Sequence, residues 1–283
     1  MFQIGDIQIA LLNDGIVHPD TGGLFGLTPL ILYKDRYPPA DNHTLPMTLG
    51  CLLVRAGGKT IVVDTGLGRR MTDKQRANWM LEQPHGDLID GLARLGVRPV
   101  DVDIVINTHL HGDHCSGNTE FNDDKTSVRP TFPNARYVVQ RREYEDAMRP
   151  NERTRATYLL PNYAPLVESG QMELLDGDTE IAPGIFGVIA PGHTPAMMVI
   201  RFESGGQHAL FVTDLSSYAI HFERLGWMTA YDVEPLVTLE SKRHWRKWAL
   251  ETGALLLFQH DPFMRAGRYV SENTIEPIDA EYA

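Results

Sequence analysis

Cysteine is scarce in this chain: Cys51 and Cys115 are the only two in 283 residues, which excludes a disulfide framework and makes a reducing compartment the expectation. Basic charge is short as well. Lys and Arg number 26 against 37 Asp and Glu, a formal charge of −11. With no basic cluster, such a chain is poorly suited to phosphate backbones or anionic lipid, so neither nucleic acid nor a membrane is an expected partner. No apolar run approaches the roughly 20 residues that a bilayer-spanning helix requires. The opening stretch, Met1-Phe2-Gln3-Ile4-Gly5-Asp6, offers neither the basic segment nor the apolar core of a secretory signal. Together these absences lead to the expectation of a soluble, cytoplasmic protein whose substrate is small and neutral or apolar.

What the chain does contain is sheet-forming sequence. At 42% hydrophobic content it can bury one large core, and no linker divides it, so residues 1–283 are expected to form a single α/β domain. Nine short runs bounded by Gly, Pro or Asp read as strands: 7–12, 49–54, 60–63, 104–106, 136–139, 186–189, 197–202, 209–212 and 254–258. Helical patterning falls over 73–81, 88–95, 140–148 and 235–252. The last of these opens on Pro235, carries Glu240, Lys242, Arg243 and Lys247 on one side, and stops at Gly253. Strands cluster before and after segment 150–180, each group interleaved with helices, which suits two sheets packed face to face with helices outside. Two excursions without periodicity, 20–47 and 215–234, are rich in apolar and aromatic residues and read as lid or substrate loops. A homodimer contact is the other use of such surface.

The most specific feature is His109-Leu110-His111-Gly112-Asp113-His114, which packs four metal-ligating side chains directly behind the apolar run 104–106. If that run is a buried strand, alternation sends His109 and His111 to one side, where two imidazoles could grip one ion. Asp113 and His114, on the following turn, can then reach a second. Two ions need further ligands, and three later groups end apolar runs in turn-rich settings. These are His193 in Ala190-Pro191-Gly192-His193-Thr194-Pro195, Asp214 after the run 209–213, and His260 after the run 255–259. His18, His43, His85, His208 and His244 lack such a setting and are read as non-ligands.

This order of His-x-His-x-Asp-His, a lone His, a strand-terminal Asp and a last His resembles the metallo-β-lactamase superfamily over almost the whole chain. The resemblance implies an αββα sandwich of two mixed β-sheets with helices on the outer faces. It also implies one metal held by His109, His111 and His193, a second held by Asp113, His114 and His260, and Asp214 bridging both. Asp64, in Val62-Val63-Asp64-Thr65-Gly66, matches the superfamily's early aspartate, whose implied task is to orient a ligand histidine. Two divalent ions, zinc before manganese, iron, cobalt or nickel, would hold hydroxide at neutral pH and polarise a carbonyl or phosphoryl oxygen. Hydrolysis is the expected reaction, with Asp113 accepting a proton and passing it to the leaving group.

Departures narrow the substrate. β-Lactamases of the main zinc class place a cysteine near the position of Asp214, and its absence here argues against antibiotic hydrolysis. Ribonuclease members share the His-Leu-His-Gly-Asp-His wording, but the acidic charge argues against them. Cys115, beside the motif, reads as a small buried residue. Gly22-Gly23-Leu24-Phe25-Gly26, Trp227-Met228-Thr229-Ala230-Tyr231-Asp232, and His260-Asp261 leading to Arg265-Ala266 resemble YtnP-like quorum-quenching lactonases. That likeness implies opening of N-acyl homoserine lactone rings, with Phe25, Phe222, Trp227 and Met228 in the apolar loops that cradle the acyl chain. Better-known lactonases place a tyrosine three residues after the bridging Asp. Here Tyr218 lies four residues on and His221 competes with it as the catalytic substrate contact, with simple lid packing the other reading of both. The alternative substrates are phosphotriesters or aryl esters, resembling methyl parathion hydrolase. A non-catalytic metal-binding protein is the third reading, which the intact ligand set disfavours.

Overall fold

Alternation within the strands decides the architecture of the computed structural model, which describes residues 1–283. The first half of the chain supplies β1 (Phe2–Ile4), β2 (Ile7–Val17), β3 (Met47–Ala56), β4 (Lys59–Val63), β5 (Ile104–Ile106), β6 (Thr119–Phe121), β7 (Val128–Pro130), β8 (Arg136–Gln140) and β9 (Met172–Leu175). The second half supplies β10 (Thr179–Ala182), β11 (Ile185–Ile189), β12 (Met198–Ser204), β13 (Gln207–Phe211), β14 (Leu255–Leu257), β15 (Ala266–Ser271) and β16 (Thr274–Pro277). One sheet runs β1-β2-β3-β4-β5-β8-β9 and the other runs β10 through β16 in order, while β6 and β7 form a separate hairpin. Both large sheets are mixed. The first is antiparallel up to β4 and parallel from β4 to β9, and the second is antiparallel except where β13 meets β14.

Odd and even positions of the same strand serve different layers. Ile7, Ile9 and Leu11 of β2, with Ile104 and Ile106 of β5, meet Ala209 and Phe211 of β13 and Leu255 and Leu257 of β14 in the core between the sheets. Ala10, Leu12 and Val105 turn the other way, onto Leu88, Leu92, Ala147 and Leu166 of the helical layer. Leu210 and Leu256 likewise turn onto Trp245 and Ala249 of helix Pro235–Thr252. Both faces of the central strands are therefore dry, which is why those strands read as unbroken apolar runs. Each such Ile or Leu contributes about 1.5–3 kcal/mol by leaving water. The outcome is a helix–sheet–sheet–helix sandwich, as expected.

All nine expected strands are present. Seven further strands, β1, β6, β7, β9, β10, β15 and β16, were not anticipated; four of them, β1, β9, β10 and β16, end the two large sheets, where strands are short and polar on one face and so leave no apolar run. Helices span Asp73–Trp79, Leu88–Arg94, Arg141–Met148 and Pro235–Thr252, within two residues of the expected bounds. The excursion 20–47 holds short helices at Thr21–Phe25 and Leu30–Tyr33, and loop 215–234 holds one at Ala219–Glu223. Lys242 departs from its expected place among the charged residues of the long helix, since it is fully buried.

Strand direction positions the site. β4 and β5 are parallel neighbours, β13 and β14 are parallel neighbours, and β11 shares the direction of β13 through two antiparallel pairings. The loops that follow these five strands therefore emerge along one edge of the sandwich. They carry Asp64, the 109–114 motif, His193, Asp214 and His260.

Candidate metal centre

The seven expected ligand side chains converge at that edge as two adjoining sets: His109, His111, His193 and Asp214 in one, Asp113, His114 and His260 in the other, with the ligand atoms of each set within 4.8 Å of one another. β5 ends at Ile106, so His109 and His111 reach the same place from a loop and not by strand alternation. Asp214 touches both sets. Its Oδ2 lies 3.1 Å from Nε2 of His193, 3.2 Å from Nε2 of His114 and 3.6 Å from Nε2 of His109, and its Oδ1 lies 2.9 Å from Nε2 of His260.

The outward nitrogens of the rings are fixed by the scaffold. His260 Nδ1 donates to the Thr48 carbonyl at 2.7 Å, His114 Nδ1 faces Asp64 at 2.9 Å, and His193 Nδ1 faces Asp232 at 3.0 Å. With the proton held outside, Nε2 is left as a bare lone pair pointing inward. Nε2 of His114 and Nε2 of His260 then face each other at 3.3 Å, and Nε2 of His193 faces Nδ1 of His111 at 3.1 Å. The buried Nε2 of His109 has no hydrogen-bond partner. Inward lone pairs in contact, one orphaned nitrogen and a carboxylate among them are the donor set of a divalent cation. The residues fit a metal.

Electrostatics agree with the geometry. Burial, then the neighbouring histidines, pushes His109 and His111 well below the ordinary histidine range. Burial acts the same way on His193, but the Asp214 and Asp232 carboxylates overcome it and raise its pKa to about 10. In the same way Asp113 and Asp214 outweigh burial at His114 and raise it well above the ordinary value. For Asp214, burial opposes ionisation, yet His260, His193 and His114 hold it well below the usual carboxylate range. The pocket favours positive charge, for which a proton and a cation compete.

Asp64 earns its position through strain. Its φ of 55° lies in the left-handed region, which costs a non-glycine residue about 1–2 kcal/mol. The carboxylate offsets this by accepting from Thr108 N at 2.8 Å, Thr108 Oγ1 at 2.8 Å and Gln259 Nε2 at 3.0 Å, besides its contact with His114. Gly192, just before His193, has φ 137° and passes so close to Thr238 that a Cβ would not fit.

Above the two sets lies a cavity of about 250 Å³ walled by Leu24, Met47, Trp79, Tyr231 and Val233. Arg153 and Ala230 also line a second groove of about 700 Å³ that adjoins it. Trp227 and Met228 line this outer groove, whereas Phe25 and Phe222 are buried in the core and reach neither space. Tyr218 and His221 do not line the cavity. The Tyr218 hydroxyl donates to the Pro46 carbonyl at 2.8 Å. The buried His221 ring packs edge-on against Phe25 at 4.9 Å between centroids, its pKa driven down to about 3 by burial and then by Lys242. The polar groups that do face the cavity include Tyr231, Arg153 and Ser217, none of which was expected as a site residue. Tyr231 reaches it because position 23 is glycine: a side chain there would collide with the phenol. The five histidines read as non-ligands lie outside both sets, and both cysteines are free and buried.

Comparison with known proteins gives a consistent picture. The family model described as Metallo-beta-lactamase superfamily matches residues 51–238. An N-acyl homoserine lactonase of Bacillus sp is 27% identical over 233 residues, covering 78% of this chain and 84% of that one. The N-acyl homoserine lactonase AttM of Rhizobium radiobacter is 25% identical over 227 residues, covering 75% and 80%. Among solved structures, a probable metal-dependent hydrolase from Staphylococcus aureus superposes with a TM-score of 0.89 at 28% identity, covering 97% of each chain. AidC, a dizinc quorum-quenching lactonase, superposes with a TM-score of 0.79 at 20% identity over 100% of this chain and 97% of its own. The latter likeness is one of fold.

Proposed function

This chain belongs to the metallo-β-lactamase superfamily and is a hydrolase of that family, and from there we propose that it is a dinuclear enzyme opening the ring of N-acyl homoserine lactones. One observation carries the reading: two ligand sets, joined by Asp214, form the floor of a cavity whose walls are mainly apolar. His109, His111 and His193 would hold one ion, Asp113, His114 and His260 the other, and Asp214 both. Two zinc ions bound there supply Lewis acidity toward a carbonyl and a nucleophilic water near neutral pH.

The side chains divide the remaining work. Asp113, partly open to the cavity, takes the proton from the attacking water and delivers it to the ring oxygen as the C–O bond of the lactone breaks, so a hydroxy acid leaves. Burial, then the charges of Asp113, Asp20 and Asp214, holds the Tyr231 phenol above its ordinary range. It therefore stays protonated and donates to a substrate oxygen. Leu24, Met47, Trp79 and Val233 exclude water, and the acyl tail leaves past Arg153 and Ala230 along the outer groove. A neutral ring with an apolar tail suits these walls and the acidic chain. The N-acyl homoserine lactonases among the curated relatives support the same substrate class.

The test is a panel of acyl homoserine lactones, γ-lactones and aryl phosphotriesters assayed on protein carrying two zinc ions. Acyl homoserine lactones should give the highest kcat/KM. A phosphotriester exceeding every lactone would overturn the substrate assignment, and wild-type protein with no affinity for divalent metal would overturn the mechanism.

A further inference from the structure

Helix Arg141–Met148 supplies nothing to the cavity, yet one of its residues reaches both loops that carry the first ligand set. Glu143 is fully buried. Its Oε1 accepts the Leu110 N–H and the Tyr158 hydroxyl, each at 3.0 Å, and its Oε2 accepts the Thr194 hydroxyl at 2.6 Å. Leu110 stands between His109 and His111, and Thr194 follows His193. Tyr158 in turn packs its ring on His111 at 5.1 Å between centroids and pairs with it through the backbone.

We propose that Glu143 is a positioning residue that sets the span of the first metal set, holding the 109–111 loop and the His193 loop at the separation a single ion requires. The inference rests on the metal reading above. A buried carboxylate is a costly way to dock a helix, since an apolar residue would do so without the desolvation penalty. What the carboxylate adds is two acceptor oxygens at a fixed distance, able to tie donors from three separate segments. The second set is fixed by other groups, His114 by Asp64 and His260 by the Thr48 carbonyl, and neither touches Glu143. Loss of the clamp should therefore be felt at one site only.

Zinc titration of the metal-stripped full-length chain against a chromophoric chelator, with melting followed in parallel, tests this. Thr194→Val keeps the volume and removes one of the three contacts, so the fold survives; Glu143→Leu removes all three. Glu143→Gln retains them, because the amide oxygen accepts from Leu110 and Tyr158 while the amide nitrogen donates to a reversed Thr194 hydroxyl. Thr194→Val is expected to weaken one zinc by about 10-fold and Glu143→Leu by up to about 100-fold, with the other zinc unchanged. Glu143→Gln should stay within a few fold of wild type. If wild type binds two zinc ions and Thr194→Val weakens both equally, or neither, the clamp is overturned and the metal centre stands. If wild type binds none, the metal centre falls and the clamp with it.

Discussion

Three histidines of the two sets, His114, His193 and His260, are defined as much by the outer nitrogen as by the inner one. Asp64, Asp232 and the Thr48 carbonyl hold those outer protons, and they come from strands and loops far away in sequence. The seven side chains that gather in the two sets were legible because the motif is dense and the other three end apolar runs. Asp232 and Thr48 gave no comparable signal, since an aspartate in a turn and a backbone carbonyl look alike everywhere. Tyr218 is a related case, its ring taking the packing place that was the other reading of it. Distance from Asp214 along the chain places Tyr218 near the chemistry, but the 3₁₀ turn Thr213–Leu215 and the helix after it send that ring into the core, and Tyr231 enters the cavity from the far end of the loop. Tyr218→Phe should therefore leave kcat/KM within about twofold while costing about 1–2 kcal/mol in urea unfolding, because the Pro46 carbonyl loses its donor. Tyr231→Phe should do the opposite, lowering kcat/KM by about tenfold with an unchanged unfolding midpoint.

Loop 215–234 is strapped to the long helix by Lys242. The ammonium is fully buried and donates to the carbonyls of His221 at 2.9 Å and Trp227 at 2.6 Å. Helical periodicity set this residue among charged neighbours, and what it could not reveal is that a loop would fold over that point of the helix. Edge strands were hidden because they are short and polar on one face and leave no apolar run to read. Burial lowers the Lys242 pKa from 10.5 to about 7, with Asp232 opposing and Arg246 assisting. Below pH 7 the folded state carries the full cost of the buried charge. Between about 7 and 10.5 the unfolded chain holds the proton that the folded one has released, so stability rises with pH through that window. Measured against Lys242→Met by chemical denaturation, wild type should gain a few kcal/mol between pH 7 and 10 and nothing below pH 7.

For the molecule as a whole, no helix is long and apolar enough to cross a membrane, and ions held at the edge of the sandwich would add to the stability of its core. An ion bound at 1,000 times its dissociation constant and ignored by the unfolded chain adds about 4 kcal/mol. For a chain of this size, chelation should accordingly lower Tm by on the order of 10 °C, read by calorimetry with and without excess zinc. The five loops that build the centre issue from both sheets, Asp64 and the 109–114 motif from one, His193, Asp214 and His260 from the other. Any ion seated there is a rivet through the seam of the sandwich. Prising the sheets apart must release it, so in a denaturant titration the ions and the intersheet packing should be lost at one midpoint, as one event.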